Sequence, residues 1–179
     1  RADATSSDGE ARAATATLRL DTVPPAIESA SVTPNPFSPN GDGQNDKATV
    51  AFVPGEKGTA RVSVVDAGGD VLRRLTGWQQ VAASRQTVKW DGRVSADSGL
   101  VAAQEGEATL LVEVRDGAGN TAQVERTVVV DRTLKLVGLS RKAISPNGDG
   151  RGDAVAVTFK LRRPADVTVT VVRSGSTVR

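Results

Sequence analysis

Residues 60–66, Ala60-Arg-Val-Ser-Val-Val-Asp66, carry an apolar side chain at every second position as far as Val64. The same spacing of apolar side chains runs through residues 48–52 and residues 110–114. Successive side chains of a strand point to opposite faces, so this spacing gives each stretch one continuous apolar face. A half-buried antiparallel sheet requires such strands, and the pattern therefore predicts an all-β fold.

An internal repeat organises the chain. The stretch Phe37-Ser-Pro-Asn-Gly-Asp-Gly-Gln-Asn-Asp46 recurs as Ile144-Ser-Pro-Asn-Gly-Asp-Gly-Arg-Gly-Asp153, and we call this match the loop alignment. A second match, between Thr17-Leu-Arg-Leu-Asp21 and Thr127-Val-Val-Val-Asp131, is called the end alignment. Self-similarity at a nearly fixed spacing indicates repeated structural units. We therefore expect residues 1–21 to be the C-terminal strand of one unit, residues 22–131 a complete unit, and residues 132–179 the N-terminal part of a third.

Turn-forming residues divide the complete unit into short strands. Pairs such as Pro54-Gly55 and Asp91-Gly92 separate the apolar runs, because Gly and Asp supply the backbone conformations that tight turns need. Seven strands are predicted near residues 27–33, 47–53, 58–66, 70–75, 85–90, 107–115 and 121–130, and residues 93–106 are predicted to form a long loop. Strands of this number and spacing favour a sandwich of two antiparallel sheets.

The composition excludes several classes of function. The net charge of +2 and the aromatic content of 3% provide neither the basic patch nor the stacking platform that nucleic-acid binding requires. The absence of Cys and His removes thiol nucleophiles, disulfides and a histidine base for a serine nucleophile. No stretch approaches the roughly 20 apolar residues of a membrane-spanning helix. We therefore expect no nucleic-acid partner and no membrane insertion in this segment.

Three motifs follow one another in the complete unit: Pro36-Phe-Ser-Pro-Asn-Gly-Asp-Gly43, Gly69-Asp-Val-Leu-Arg-Arg-Leu75 and Val88-Lys-Trp-Asp-Gly92. In this order they resemble the immunoglobulin-like domain of the flagellar hook-capping protein, and similar domains occur in large exported bacterial proteases and surface proteins. The stretch Asp116-Gly-Ala-Gly-Asn-Thr121 is similar to the end of many bacterial tandem repeats. The resemblance implies tandem immunoglobulin-like antiparallel β-sandwiches.

The same resemblance implies a non-catalytic structural or spacer module of a secreted or cell-surface multidomain bacterial protein. The expected partners are the neighbouring immunoglobulin-like domains of the same chain, with a cell-surface protein or a glycan as further candidates. Two alternatives stay open: an adhesion module that binds protein or carbohydrate, and an accessory domain of a large exported protease or hydrolase. The sequence contains no predicted catalytic site, so we expect the chain not to be an enzyme.

The repeated acidic loops are candidate calcium sites. Oxygen-bearing side chains alternate at Ser38, Asn40 and Asp42, and their order, with a glycine next, matches the first half of a calcium-binding loop. Gln44 would offer its backbone carbonyl. The candidate ligands are Asn40, Asp42, Gln44 and Asp46 in the first loop, and Asn147, Asp149 and Asp153 in the second. The alternative is a turn without metal, because Asn and Asp accept hydrogen bonds from their own backbone and Gly adopts positive φ.

The remaining motifs are predicted to be structural. Trp90 lies two residues after Val88 and is expected in the core, whereas Trp78 is expected at an edge or exposed. Arg151-Gly-Asp153 spells an integrin-type tripeptide, but its Asp is already explained by the acidic loop.

The two junctions between units differ in sequence. The stretch Thr22-Val-Pro-Pro25 is predicted to be an extended linker, since consecutive prolines favour polyproline geometry. Its counterpart, Arg132-Thr-Leu-Lys-Leu136, has no proline and is predicted to continue directly into a strand.

The two partial units predict open strand edges. Residues 1–21 would lack the rest of their unit, and residues from about 143 onward would lack the strands that follow. Open edges pair readily with other chains. Two explanations stay open: neighbouring units of a longer array cover these edges, or the end of one copy of the chain completes the start of another.

Overall fold

The computed structural model describes residues 2–5, 11–14, 20–173 and 176–178. These residues form strands and turns and contain no helix, so the predicted all-β class is confirmed. The strands in chain order are β1 (Ala2–Thr5), β2 (Ala11–Ala14), β3 (Ile27–Thr33), β4 (Ala48–Pro54), β5 (Gly58–Val65), β6 (Val71–Arg74), β7 (Gln79–Val81), β8 (Gln86–Trp90), β9 (Arg93–Ala96), β10 (Gly99–Ala102), β11 (Gly106–Arg115), β12 (Thr121–Val130), β13 (Leu134–Leu139), β14 (Val157–Leu161), β15 (Val171–Arg173) and β16 (Ser176–Val178).

The central unit, a name we use for residues 22–131, contains two larger antiparallel sheets and the separate pair of β9 with β10. The larger sheet has the order β12-β11-β5-β6, and β7 also pairs with β5. The smaller sheet has the order β3-β4-β8. Four separate two-stranded pairs complete the described part: β1 with β2, β9 with β10, β13 with β14, and β15 with β16.

The two sheets of the central unit bury their apolar faces in one shared core. Val50 and Phe52 from the smaller sheet belong to the same buried cluster as Val62, Leu110 and Val112 from the larger sheet. The alternation in the sequence predicts this arrangement, because it places these residues on one face of each strand. In general terms the central unit is therefore a β-sandwich.

Trp90 is at the centre of this core, which confirms the prediction for this residue. Its ring is fully buried, and its centroid lies 5.2 Å from that of Phe37, with 49° between the ring planes. The indole Nε1 donates a hydrogen bond of 2.7 Å to the carbonyl of Arg93. A buried Trp needs such a partner for its N–H, so this bond also fixes the turn that follows β8.

The predicted long loop at residues 93–106 is wrong. The structure places β9 and β10 there as a hairpin, in which Ala96 is opposite Gly99 and only Asp97 and Ser98 lie between the strands. Gly99 has φ of 106°, a conformation that glycine adopts without strain. The Ser98-Gly99 turn signal therefore marks the tip of a hairpin.

The C-terminal segment, residues 132–173, begins in the way the repeat predicts. Strand β13 starts at Leu134, so the second junction continues directly into a strand, whereas residues 20–26 lack regular structure. In the loop alignment β13 and β14 are the counterparts of β3 and β4. The counterpart of β5 is strand only from Val171 onward.

Burial does not follow the repeat into the C-terminal segment. Phe52 in β4 is 2% exposed, but its counterpart Phe159 in β14 is 42% exposed. In the central unit Phe52 belongs to a core to which β11 and β12 contribute, and the described part of the C-terminal segment has no counterpart of these two strands. Residues 1–21, predicted to be the C-terminal strand of a preceding unit, lie partly outside the described residues, and their described part contains the paired strands β1 and β2.

We predict that Phe52→Ala lowers the free energy of unfolding of the central unit by about 3–5 kcal/mol, because it removes a buried ring and leaves a cavity. The matched control is Phe159→Ala, which removes the same group from a solvent-exposed counterpart and should cost less than about 1 kcal/mol. Urea unfolding followed by tryptophan fluorescence measures both, since both tryptophans, Trp78 and Trp90, lie in the central unit. Equal losses for the two variants would contradict the burial pattern.

Candidate functional site

The first acidic loop is a turn held together by its own side chains. Both carboxylate oxygens of Asp46 accept backbone hydrogen bonds, from Gly41 at 2.6 Å and from Gly43 at 2.7 Å. The side chain of Asn40 accepts from the amide of Asp42 at 2.9 Å, and that of Asp42 accepts from the amide of Gln44 at 2.8 Å. The side chains of Asn40, Asp42 and Asp46 are therefore engaged within the loop, and Gln44 takes part through its backbone amide.

The second acidic loop repeats these four hydrogen bonds. Asp153 accepts from the amides of Gly148 and Gly150, both at 2.8 Å. The side chain of Asn147 accepts from the amide of Asp149 at 3.2 Å, and that of Asp149 accepts from the amide of Arg151 at 2.7 Å. The sequence repeat is thus a structural repeat as well.

The bonding of these loops bears on the calcium hypothesis. A calcium ion needs six to eight oxygens converging on one point, but both oxygens of Asp46 and both of Asp153 already face amide hydrogens. The part of the chain that the structure describes contains no group of three or more His, Cys, Asp or Glu side chains placed to hold a metal ion. This geometry favours the hydrogen-bonded turn, and the calcium site stays a prediction.

The Arg151-Gly-Asp153 tripeptide is part of the second turn. Gly152 has φ of 77°, and its counterpart Asn45 also has a positive φ, of 53°. The glycine is therefore explained by the backbone conformation of the turn. The Asp153 carboxylate is occupied by backbone amides, so this Asp is built into the loop rather than presented by it.

Arg132 connects three loops at the end of the central unit. Although it follows the last predicted strand, it is only 6% exposed. Its guanidinium donates to the carbonyls of Ala103 at 3.0 Å, Gly92 at 3.1 Å and Pro39 at 3.3 Å. Burial lowers the pKa of Arg132, and the nearby carboxylate of Glu105 opposes that shift. One side chain therefore fastens the first acidic loop, the β8–β9 turn and the segment after β10 to each other.

Gly92 is required for this arrangement. Its φ is 71°, and a Cβ atom at this position would lie 2.5 Å from Cγ of Pro39. A larger residue would push away the first acidic loop, whose Pro39 carbonyl accepts from Arg132. The Asp91-Gly92 turn signal thus marks both a backbone conformation and a close contact.

A second arginine connects the central unit to the C-terminal segment. The Arg163 Nε donates to the Thr133 hydroxyl at 2.6 Å, and its guanidinium lies 3.4 Å from Asp131 and 3.6 Å from Glu105. Hydrogen bonds from Thr133, with the charge of Arg163, lower the pKa of Asp131. We call the set Glu105, Asp131, Arg132, Thr133 and Arg163 the junction cluster.

The opposite end of the central unit carries a related contact. Asp116 accepts three backbone hydrogen bonds in the β11–β12 turn, and its other oxygen accepts from the Asn120 side chain at 2.8 Å. The Asn120 bond is the main cause that lowers the pKa of Asp116. The same Asn120 amide donates to the carbonyl of Asp21 at 3.2 Å. The turn therefore holds the linker that enters the unit.

Trp78 is half-buried on the outer face of the larger sheet, as expected for an edge residue. The guanidinium carbons of Arg61 and Arg115 lie 4.7 Å and 4.3 Å from its ring centroid, within the range of cation–π attraction. Arg61 also pairs with Glu113, at 2.5 Å and 2.7 Å, and these hydrogen bonds raise the pKa of Arg61. This group presents an aromatic ring between two cationic side chains.

Sequence spacing does not predict the junction cluster. The sequence marks the segment that contains Arg132 only as a junction. Local spacing cannot reveal the contacts of Arg132, because its three carbonyl partners lie 29 to 93 residues away along the chain. The sequence does contain one signal for the position of the cluster: an Asp ends each unit, at Asp21 and Asp131, and its repetition marks the junctions.

Comparison with known proteins returned no match: no protein-family model matches the chain, and no curated protein is similar to it at a significant level. Within the described residues, no helix has the length and apolar character needed to cross a membrane.

We predict that Asp46→Ala destabilises the central unit by about 1–2 kcal/mol, because two loop amides lose a charged acceptor. If the loop is a turn without metal, the melting temperatures of wild type and variant are the same in millimolar calcium and in chelator. Differential scanning fluorimetry measures this. A rise in the wild-type melting temperature with calcium, absent from Asp46→Ala, would establish the metal site instead.

We predict that Arg132→Met lowers the free energy of unfolding by about 2–4 kcal/mol, because it leaves buried carbonyl groups without a donor. Arg85→Met, at an exposed position, is the control and should change stability by less than about 0.5 kcal/mol. Chemical unfolding of the two variants checks this. A loss for Arg132→Met no larger than that of the control would show that its three carbonyl contacts are not stabilising.

Proposed function

We propose that the chain is a non-catalytic structural module, built of consecutive immunoglobulin-like β-sandwich units, from a secreted or cell-surface multidomain bacterial protein. Its task is to hold neighbouring domains at a fixed distance and orientation. The motif resemblance to the hook-capping protein domain supports the immunoglobulin-like assignment and the location. As an accessory domain of a large exported protease or hydrolase, the module would have the same mechanical role.

The junction cluster is the observation that carries this proposal. A spacer transmits orientation only if each unit is fastened to the next, since a flexible linker lets the domains reorient. Arg163 of the C-terminal segment reaches Glu105 and Asp131 at the end of the central unit, and it also donates to Thr133 in its own segment. In the same place the first acidic loop contacts the start of β13, where the Asn40 side-chain amide donates to the Leu134 carbonyl at 2.7 Å.

The ends of the two units, at Asp21 and Asp131, also share a local hydrogen-bonded turn. Asp21 accepts from the amide of Val23 at 3.1 Å, and Asp131 accepts from the amide of Thr133 at 2.8 Å. These bonds are equivalent in the end alignment, and each is an Asx turn that sets the direction of the outgoing chain. A repeated exit geometry is what a linear array of like units needs.

The alternative function is adhesion, and Trp78 is the observation that favours it. A partly exposed aromatic ring between Arg61 and Arg115 offers stacking together with positive charge, which suits an acidic glycan or an acidic protein surface. A glycan array probed with wild type and Trp78→Ala tests it. Binding that the substitution abolishes would favour adhesion, and silence in both arrays favours the spacer.

We predict that Arg163→Ala widens the distribution of orientations between the central unit and the C-terminal segment, because it removes the contacts that cross the junction. Small-angle X-ray scattering should show a larger maximum dimension than for wild type. Lys142→Ala, an exposed cation in the same segment, is the control and should leave the scattering curve unchanged. If wild type already scatters as two freely reorienting bodies, the spacer function is wrong.

A further inference from the structure

The two acidic loops contain the only Asn-Gly bonds of the sequence. Asn40 and Asn147 each precede a glycine, and an Asp-Gly pair follows directly, Asp42-Gly43 in the first loop and Asp149-Gly150 in the second. Glycine has no side chain that shields its backbone nitrogen. The nitrogen of each glycine can therefore approach the side-chain carbonyl carbon of the residue before it.

Attack by this nitrogen deamidates the asparagine. The nitrogen of Gly41 loses its proton and forms a bond to Cγ of Asn40, the bond from Cγ to Nδ2 breaks, and the amide nitrogen leaves with that proton as ammonia. Water then opens the succinimide ring at one of its two carbonyl groups, which leaves aspartate or isoaspartate in place of Asn40. An Asp-Gly pair forms the same ring with loss of water.

In each loop one aspartate holds both nitrogens that could attack. One carboxylate oxygen of Asp46 accepts from the amide of Gly41 at 2.6 Å, and the other accepts from the amide of Gly43 at 2.7 Å. Asp153 accepts from the two corresponding amides of the second loop, both at 2.8 Å. These are the amides that follow the Asn and the first Asp of each loop, so a single carboxylate covers both reactive pairs.

A hydrogen bond to a carboxylate makes these nitrogens less reactive. The nitrogen attacks only after it loses its proton, and a bond that the neutral N–H group donates favours the protonated form. The bond is stronger than one between neutral groups, because the acceptor is charged. It also fixes the peptide plane, which keeps the nitrogen from turning toward Cγ of the residue before it.

Burial does not protect these bonds. Gly41 and Gly43 are exposed, and among the described residues no atom beyond the adjoining residues lies within 4 Å of where a Cβ atom of either would be. The same holds for Gly148 and Gly150. Water therefore reaches both loops, and the carboxylates are the restraint that the structure provides.

We propose that Asn40 and Asn147 are the sites at which this chain deamidates spontaneously, and that Asp46 and Asp153 slow the reaction by holding the glycine amides. The aspartate that the sequence predicts as a metal ligand thus protects its own loop from chemical change. The inference goes beyond the proposed function and does not rest on it, since the rates depend only on the two loops.

Deamidation has different consequences in the two loops. Nδ2 of Asn40 donates to the carbonyl of Leu134 at 2.7 Å, a bond between the central unit and the C-terminal segment. A carboxylate in its place has no hydrogen to donate and faces that carbonyl with an oxygen. Nδ2 of Asn147 donates to Asp149 within its own loop, at 3.1 Å. Deamidation at Asn40 therefore weakens a contact across the junction, whereas deamidation at Asn147 changes a local turn.

Two crossed substitutions test the proposal. Wild type, Asp46→Ala and Asp153→Ala are incubated at slightly alkaline pH, and mass spectrometry of proteolytic peptides follows the loss of each side-chain amide. Asp46→Ala should accelerate deamidation at Asn40 about tenfold or more, because the reacting amide loses a hydrogen bond to a charged group. The rate at Asn147 should stay at its wild-type value. Asp153→Ala should give the reverse result, so each variant contains its own control loop.

A core substitution separates local protection from a general loss of stability. Val112→Ala removes buried methyl groups from β11, leaves the first acidic loop intact and should cost at least as much stability as Asp46→Ala. We expect it to leave deamidation at Asn40 close to the wild-type rate. Equal acceleration by Val112→Ala and Asp46→Ala would overturn the proposal. So would a rate at Asn40 that Asp46→Ala leaves unchanged or lowers.

Discussion

The pairing of β11 with β5 is the contact on which the rest of the central unit depends. It puts Leu110 opposite Val64 and Val112 opposite Val62 and turns all four side chains toward the smaller sheet. Apolar burial contributes about 25 cal/mol for each Å² removed from water, so this shared face is the main source of stability for a chain without disulfides. The C-terminal segment contains Val169 and Val171, the counterparts of Val62 and Val64, without that pairing, and there they are exposed.

At the ends of the sandwich, polar side chains take over the role that apolar packing has in the middle. The acidic loop, the β8–β9 turn and the segment after β10 approach one another at a place where backbone carbonyls need donors. Arg132 supplies these donors from a buried position, and its planar guanidinium serves several acceptors at once. The same residue begins the linker to the C-terminal segment. The contacts that stabilise the end of the unit therefore lie where the next segment begins.

The strands and the core can be predicted from the sequence, because a period of two leaves each strand only one face to bury. Val62, Val112 and Trp90 are buried as their spacing predicts. The β9–β10 hairpin cannot be found in this way, since its four-residue strands show no apolar alternation and leave Leu100 and Val101 exposed.

Less of the candidate site than of the fold can be predicted from the sequence. Spacing locates the acidic loops, but the choice between a metal site and a turn depends on where each carboxylate oxygen points, which spacing alone does not determine. The burial of Arg132 cannot be predicted from spacing, because the carbonyl groups that accept its hydrogen bonds lie far away along the chain.

Amide hydrogen exchange read by mass spectrometry tests the central claim most directly. The account predicts slow exchange throughout β4, β5 and β11, where two paired sheets enclose a core, and fast exchange for residues 155–171 in dilute solution, where the same apolar pattern has no covering strands. Slow exchange across residues 155–171 in a dilute monomer, or fast exchange in β5 and β11, would contradict it.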